Sequence, residues 1–68
     1  MFADKIFLEK IYLNKAIIIE RMVGEPQYAG RTGVVTLVDD AGQIHGTWGG
    51  CALTAGDSFR IIDEKEVR

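Results

Sequence analysis

The stretch Gly30 to Trp48, GRTGVVTLVDDAGQIHGTW, constrains the fold more than any other part of the chain. It reads as a β-hairpin. Gly30 and Gly33 punctuate its start, and Val34, Val35, Leu37 and Val38 form an aliphatic, β-branched run. Asp40-Ala41-Gly42 supplies the turn, with Gly42 the natural residue for a positive φ. Gln43 to Trp48 returns as the next strand, with Ile44, Gly46 and Trp48 on one of its faces. The remaining segments read as wrapping this hairpin into a small closed sheet.

Length and composition narrow the possibilities. At 68 residues the chain makes one domain, and a chain this short buries only about 60% of its unfolded surface. Its composition, 47% hydrophobic and 26% charged, is that of a globular chain. A net charge of −2 argues against a broad electrostatic grip on nucleic acid or anionic lipid. One cysteine, Cys51, forms no internal disulfide, and with one histidine, His45, it cannot build a four-ligand zinc site. No metal or cofactor is expected. No apolar run approaches the roughly 20 residues of a membrane span. Met1-Phe2-Ala3-Asp4 lacks the basic start of a secretory signal, so the expectation is a cytoplasmic protein with no membrane association.

Taken in order, residues 1–14 form an N-terminal arm that is helical or extended. Apolar residues recur at helical spacing in FADKIFLEKIYL, and Asp4 suits a first turn, so a short helix over 2–13 is favoured. An imperfect alternation of Ile6, Leu8 and Tyr12 with Lys5 and Glu9 keeps a strand in play. Seven of these residues are large and apolar, more than a lid on so small a core needs, which predicts self-association, a homodimer through residues 2–13. Asn14-Lys15 breaks the pattern. Ala16 to Met22 is the first strand, with Ile17 and Ile19 on one side and Ile18 and Glu20 on the other. Val23 to Ala29 is a loop, because Pro26 forbids a central strand and Gly24 permits a bend. Further strands follow at Val34–Val38, Gln43–Trp48, Cys51–Leu53 and Ser58–Ile62, the last with Phe59 and Ile61 inward and Arg60 outward. Residues 64–68 form a solvated tail. Five short strands at this spacing predict an all-β fold, a small five-stranded barrel over residues 15–63 that closes its own edges.

The run GRTGVVTLVDDAGQIHGTWGG, continued by CALTAGDSFRII, resembles domain-of-unknown-function family 4314, small bacterial proteins common in phages and conjugative elements. The matching positions include Met22, Pro26, Gly30, Gly33, Val35, Val38, Asp39, Asp40, Gly42, Ile44, Trp48, Leu53, Gly56, Asp57, Phe59 and Ile62, within residues 16–62. The resemblance implies an SH3-like barrel and a mobile-element setting, and no chemistry. Two positions depart from the pattern. Gly46 stands where the family carries Val, which implies that Gly46→Val is tolerated, and Gly49-Gly50 replaces an Asp-Asn turn. The Gly30-x-x-Gly33-x-Val35 start is also similar to the KOW motif of nucleic-acid-binding barrels.

Four residues are candidates for ligand or partner contact: Tyr28, Arg31, His45 and Trp48. Trp48 could stack a base or a peptide ring, but its phase with Ile44 argues for the core. Tyr28, in the loop, is the better platform. Arg31 would give a charge-assisted hydrogen bond. His45 alternates out of phase with Ile44 and points outward. Asp39 or Asp40 can lie across the hairpin from it, yet both acids are better explained as turn residues bonding local amides. No nucleophile, base and orienting group assemble, so no catalytic residue is expected and the chain reads as non-enzymatic. Cys51 reads as a small buried hydrophobe. Lys15, Arg21, Arg31 and Arg60 could gather as a phosphate-binding patch, but Glu20, Glu25 and Asp57 interleave with them. The leading expectation is a binding or adaptor module with a protein partner or a second copy. A KOW-like nucleic-acid-binding barrel and a phage-encoded inhibitor of a host protein are the alternatives.

Overall fold

A computed structural model describes residues 2–66, with the side chains of residues 2–4 left out of the description. The elements are α1 (Phe2–Tyr12), β1 (Ala16–Arg21), β2 (Thr32–Val38), β3 (Ile44–Gly46) and β4 (Ser58–Ile61), with short 3₁₀ turns at Pro26–Tyr28 and Glu64–Glu66. The four strands form one antiparallel sheet in the order β3-β2-β1-β4. Helix α1 packs against β2.

The arm is helical, and Asn14 ends the helix in the left-handed region at φ 66, a conformation that asparagine adopts more readily than most residues. Its backbone N–H then donates to the carbonyl of Val35, which joins the helix exit to the sheet. β1 follows the expected alternation. Ile17 and Ile19 are fully buried, and Glu20 is exposed. Pro26 opens the 3₁₀ turn in the loop, where its missing N–H costs nothing. At the hairpin tip Gly42 takes φ 81, as a tight turn requires.

The core joins Ile17, Ile19, Met22, Val35, Val38, Ile44, Trp48 and Leu53. Val35 and Val38 both face it although they are three apart, because the β2–β3 register shifts between Val35 and Leu37. That bulge turns Leu37 out to solvent, 50% exposed. Leu8, Tyr12 and Leu13 pack on the core from above, and the Tyr12 and Phe59 rings meet at 5.1 Å.

Several expectations are corrected. The sheet has four strands and is not closed, with β3 and β4 at its edges. Cys51–Leu53 is not a strand; Leu53 alone makes an antiparallel bridge to Ile44. β3 stops at Gly46, two residues short of Trp48, because the chain turns at Thr47-Trp48. Cys51 is half-exposed rather than buried. Ile61 is 45% exposed, at the end of the edge strand β4.

Gly46 is where the hairpin and the core meet. The Trp48 indole folds back over it, so a β-carbon there would collide with Trp48 Cζ3 and stand 2.5 Å from the Val34 carbonyl oxygen. The glycine thus makes room for a ring, and the implied tolerance of valine is overturned. Gly46→Val is expected to cost about 3 kcal/mol or more, the upper range for overpacking, read as a lowered urea midpoint. Adding Trp48→Leu should make the double variant less destabilised than the sum of the singles, because the shorter side chain vacates the contested space. The helix carries a second prediction. Deleting residues 1–13 should unfold the chain, seen by circular dichroism, because Leu8, Tyr12 and Leu13 leave with it and strip apolar cover from the core.

Candidate functional site

The sequence-derived candidates fall into two places. Tyr28, Arg31 and Trp48 come together where the 3₁₀ turn meets the end of the hairpin. His45 stands on β3 beside the hairpin turn.

In the first cluster, Trp48 is 3% exposed and its indole Nε1–H donates to the Cys51 carbonyl at 2.8 Å. Both faces and the polar edge of the ring are used internally, so Trp48 presents no stacking surface. The Arg31 guanidinium donates to the Trp48 carbonyl at 3.1 Å and lies 4.3 Å from the centroid of Tyr28. The Tyr28 ring is half-buried and also packs against Gly49, where a β-carbon would come 2.7 Å from Cε2. Arg31 therefore commits one guanidinium N–H and one face of the group to the fold while the residue stays exposed. The cluster is a clasp between two loops, and it leaves no room for a β-carbon at position 49.

In the second place, His45 Nε2–H donates to Asp39 Oδ2 at 2.9 Å. Asp39 Oδ1 accepts from the backbone N–H groups of Ala41 and Gln43. The bond from His45, then that from Gln43, hold the Asp39 carboxyl below its usual value against the opposing effect of burial, with a lesser contribution from Ala41. Asp39 is thus the turn-forming acid that the sequence suggests and the partner of His45 as well. Among the described residues the Thr36 hydroxyl bonds the His45 carbonyl at 3.4 Å, no hydroxyl or thiol is hydrogen-bonded to the His45 ring, and no group of three or more metal-ligating side chains forms there.

Sequence reasoning missed Asp57. Its carboxylate accepts from the backbone N–H groups of Thr54 and Val23 at 2.9 Å each and from the Thr54 hydroxyl. It ties the β4 entry to the loop after β1, 34 residues away in sequence. The turn Thr54-Ala55-Gly56-Asp57 announces the local bond, but nothing in it announces Val23. The bonds from Thr54 and Val23 lower the Asp57 pKa.

Exposed large apolar side chains stand on the outer face of α1 and, away from it, at Val23, Leu37 and Ile61. Ile6 is 54% exposed and Phe7 63%. Phe7 and Leu8 form one wall of a groove of about 460 Å³, whose other lining is Ala41, Gly42 and Gln43 of the hairpin turn and Thr54 and Ala55. On α1, Lys5 pairs with Glu9 at 2.8 Å and Lys10 is exposed, as is Asp40 of the hairpin turn. No helix among the described residues is long and apolar enough to cross a membrane. No family model, curated protein or solved structure matches the chain.

The two lowered carboxyls predict an acid limb. A depressed folded-state pKa supplies stability that is present above the ordinary value of 3.8 and is lost as pH falls through the lowered value. Stability measured by urea unfolding should therefore fall below about pH 4. Asp57→Asn should lose about 1 kcal/mol at neutral pH and show a shallower acid limb than the parent chain.

Proposed function

We propose that the chain is a non-enzymatic protein-binding module whose contact surface is the outer face of α1 with the groove beside it. The observation that carries this reading is the exposure of Phe7 at the wall of an apolar groove. A ring left in water on a domain this small costs solubility unless something covers it. The two hydrogen-bonded clusters at Tyr28–Arg31–Trp48 and His45–Asp39 are better accounted for by the fold. An SH3-like architecture is the finer reading of the sheet. The Leu53 bridge to Ile44 supports it as a rudimentary fifth strand laid on the β3 edge. The phage or mobile-element setting and a cytoplasmic location rest on the sequence alone.

The nucleic-acid alternative draws less support. Arg31 is engaged by Tyr28 and Trp48, and Arg60 pairs with Glu20 at 3.2 Å. Lys15 and Arg21 are the cations of this group with no ion pair among the described residues. Two scattered charges on a chain of net charge −2 give little counterion release.

The test replaces Phe7 with a photo-crosslinking phenylalanine analogue and, separately, the exposed Thr36 on β2. Polypeptide adducts at position 7 that are absent at position 36 and suppressed by Ile6→Glu are expected. Oligonucleotide binding, followed by anisotropy of labelled single and double strands at low salt, should be absent. No adducts at position 7, together with salt-sensitive oligonucleotide binding lost in Arg21→Ala, would overturn the reading in favour of nucleic acid.

A further inference from the structure

We propose that Arg31 is a carboxylate-binding residue: the clasp fixes it in place and leaves the Nε–Nη2 edge of its guanidinium to take a carboxylate side-on. The site shares no residue with the groove beside α1 and stands independently of that surface.

Arg31 is held by both backbone and side chain. Its N–H donates to the Tyr28 carbonyl at 3.0 Å, across the end of the 3₁₀ turn, and its carbonyl accepts the Ile19 N–H at 2.8 Å. Its guanidinium lies over the Tyr28 ring and donates from Nη1 to the Trp48 carbonyl. An arginine tied in this way has already lost much of the rotamer freedom that a surface arginine gives up on gripping a ligand.

None of these ties uses the edge of the guanidinium that best recognises a carboxylate. Nε–H and the adjacent Nη2–H point the same way and match its two oxygens. Neither has a hydrogen-bond partner among the described residues, and the residue is exposed. The other described arginines lack one half of this combination. Arg60 spends its Nε–H on Glu20 at 3.2 Å. Arg21 is exposed, with no side-chain bond or ring contact among the described residues to hold it.

The surroundings select the ligand. Arg31 lines a groove of about 280 Å³ with Gly30, Thr32, Thr47 and Trp48, and no acidic side chain is among them. Thr47 Oγ1 accepts the Val34 N–H at 3.0 Å and keeps its own proton to donate. The one cation in the groove balances one negative charge. A phosphate group carries between about 1.5 and 2, and a nucleic-acid strand needs a row of cations. The groove is also smaller than the roughly 300–1,000 Å³ of pockets that enclose drug-sized ligands, so it takes one small group. An acidic side chain of a polypeptide and a small free carboxylic acid both supply it.

Proton–nitrogen NMR on the full chain tests this, with sodium acetate, capped glutamate (N-acetyl-glutamate N-methylamide) and inorganic phosphate titrated at neutral pH and constant ionic strength. The Arg31 Nε–H signal should move downfield with carboxylate and saturate, with a dissociation constant of about 10 mM, while the Arg21 Nε–H signal stays in place. Arg31→Lys keeps the charge and removes the fork. It should weaken binding about tenfold, read on the Gly30 and Thr47 amides, with an unchanged circular dichroism spectrum. Should that variant disturb the fold, the comparison of Arg31 with Arg21 in the parent chain still decides. Capped glutamate binding more tightly than acetate assigns the site to an acidic side chain, and equal affinity assigns it to a small acid; both support carboxylate binding. No saturable shift at Arg31, or Arg31 and Arg21 shifting alike, overturns the site. Phosphate binding more tightly than either carboxylate overturns the ligand class. Affinity retained by a folded Arg31→Lys overturns the side-on geometry.

Discussion

The packing of the Trp48 indole onto the backbone of Gly46 is the contact on which the rest of the structure depends. The ring reaches that position because the chain turns at Thr47-Trp48 instead of continuing β3. It stays there because its Nε1–H finds the Cys51 carbonyl and its own carbonyl receives Arg31. A buried indole with an unpaired N–H would be costly, so the bond to Cys51 fixes the path of the chain beyond the hairpin. That path carries Leu53 back to Ile44, where one bridge closes the far side of the core. The ring, the glycine beneath it and the bridge form one unit, and enlarging the glycine displaces all three.

Two further ties hold what the tryptophan organises. Arg31, stacked on Tyr28, secures the loop before β2 to the end of the hairpin. Asp57 secures the loop after β1 to the entry of β4 through two backbone amides. Both use charge-assisted bonds to main-chain groups, which are stronger than neutral ones and leave no orphaned donor. In a chain with so little interior, loops held this way substitute for core. The polar residues that look most like a ligand site are in large part structural for this reason. The exposed large apolar side chains lie outside these clusters, at Ile6 and Phe7 on the helix and at Val23, Leu37 and Ile61.

Much of the fold was legible in the sequence, and so was less of the candidate site. Ile17 and Ile19 announced the buried face of β1, and Asp40-Ala41-Gly42 announced the hairpin turn, because both follow from local sterics. The surplus of large apolar residues in 2–13 announced an exposed face, since a small core cannot absorb them. Phe7 and Ile6 were not separable from Leu8 and Tyr12 on that basis, because which stripe of a helix is buried depends on where the helix docks. Arg31, Tyr28 and His45 were visible as residue types. Their internal partners were not, since each bond is set by the meeting of two loops.

The sequence by itself determined the hairpin, the strand that pairs with it, the break at Asn14 after the N-terminal arm, and the chain's modest charge. These depend on alternation, on turn chemistry and on φ preferences that act within a few residues. Tertiary structure alone decided that Trp48 folds back over Gly46, that Leu53 makes a bridge and not a strand, that Ile61 stays exposed, and that Asp57 reaches Val23. Each of these outcomes depends on which surfaces meet once the strands have paired. Residues far apart in the chain then compete for the same small volume, and no local pattern encodes which of them occupies it.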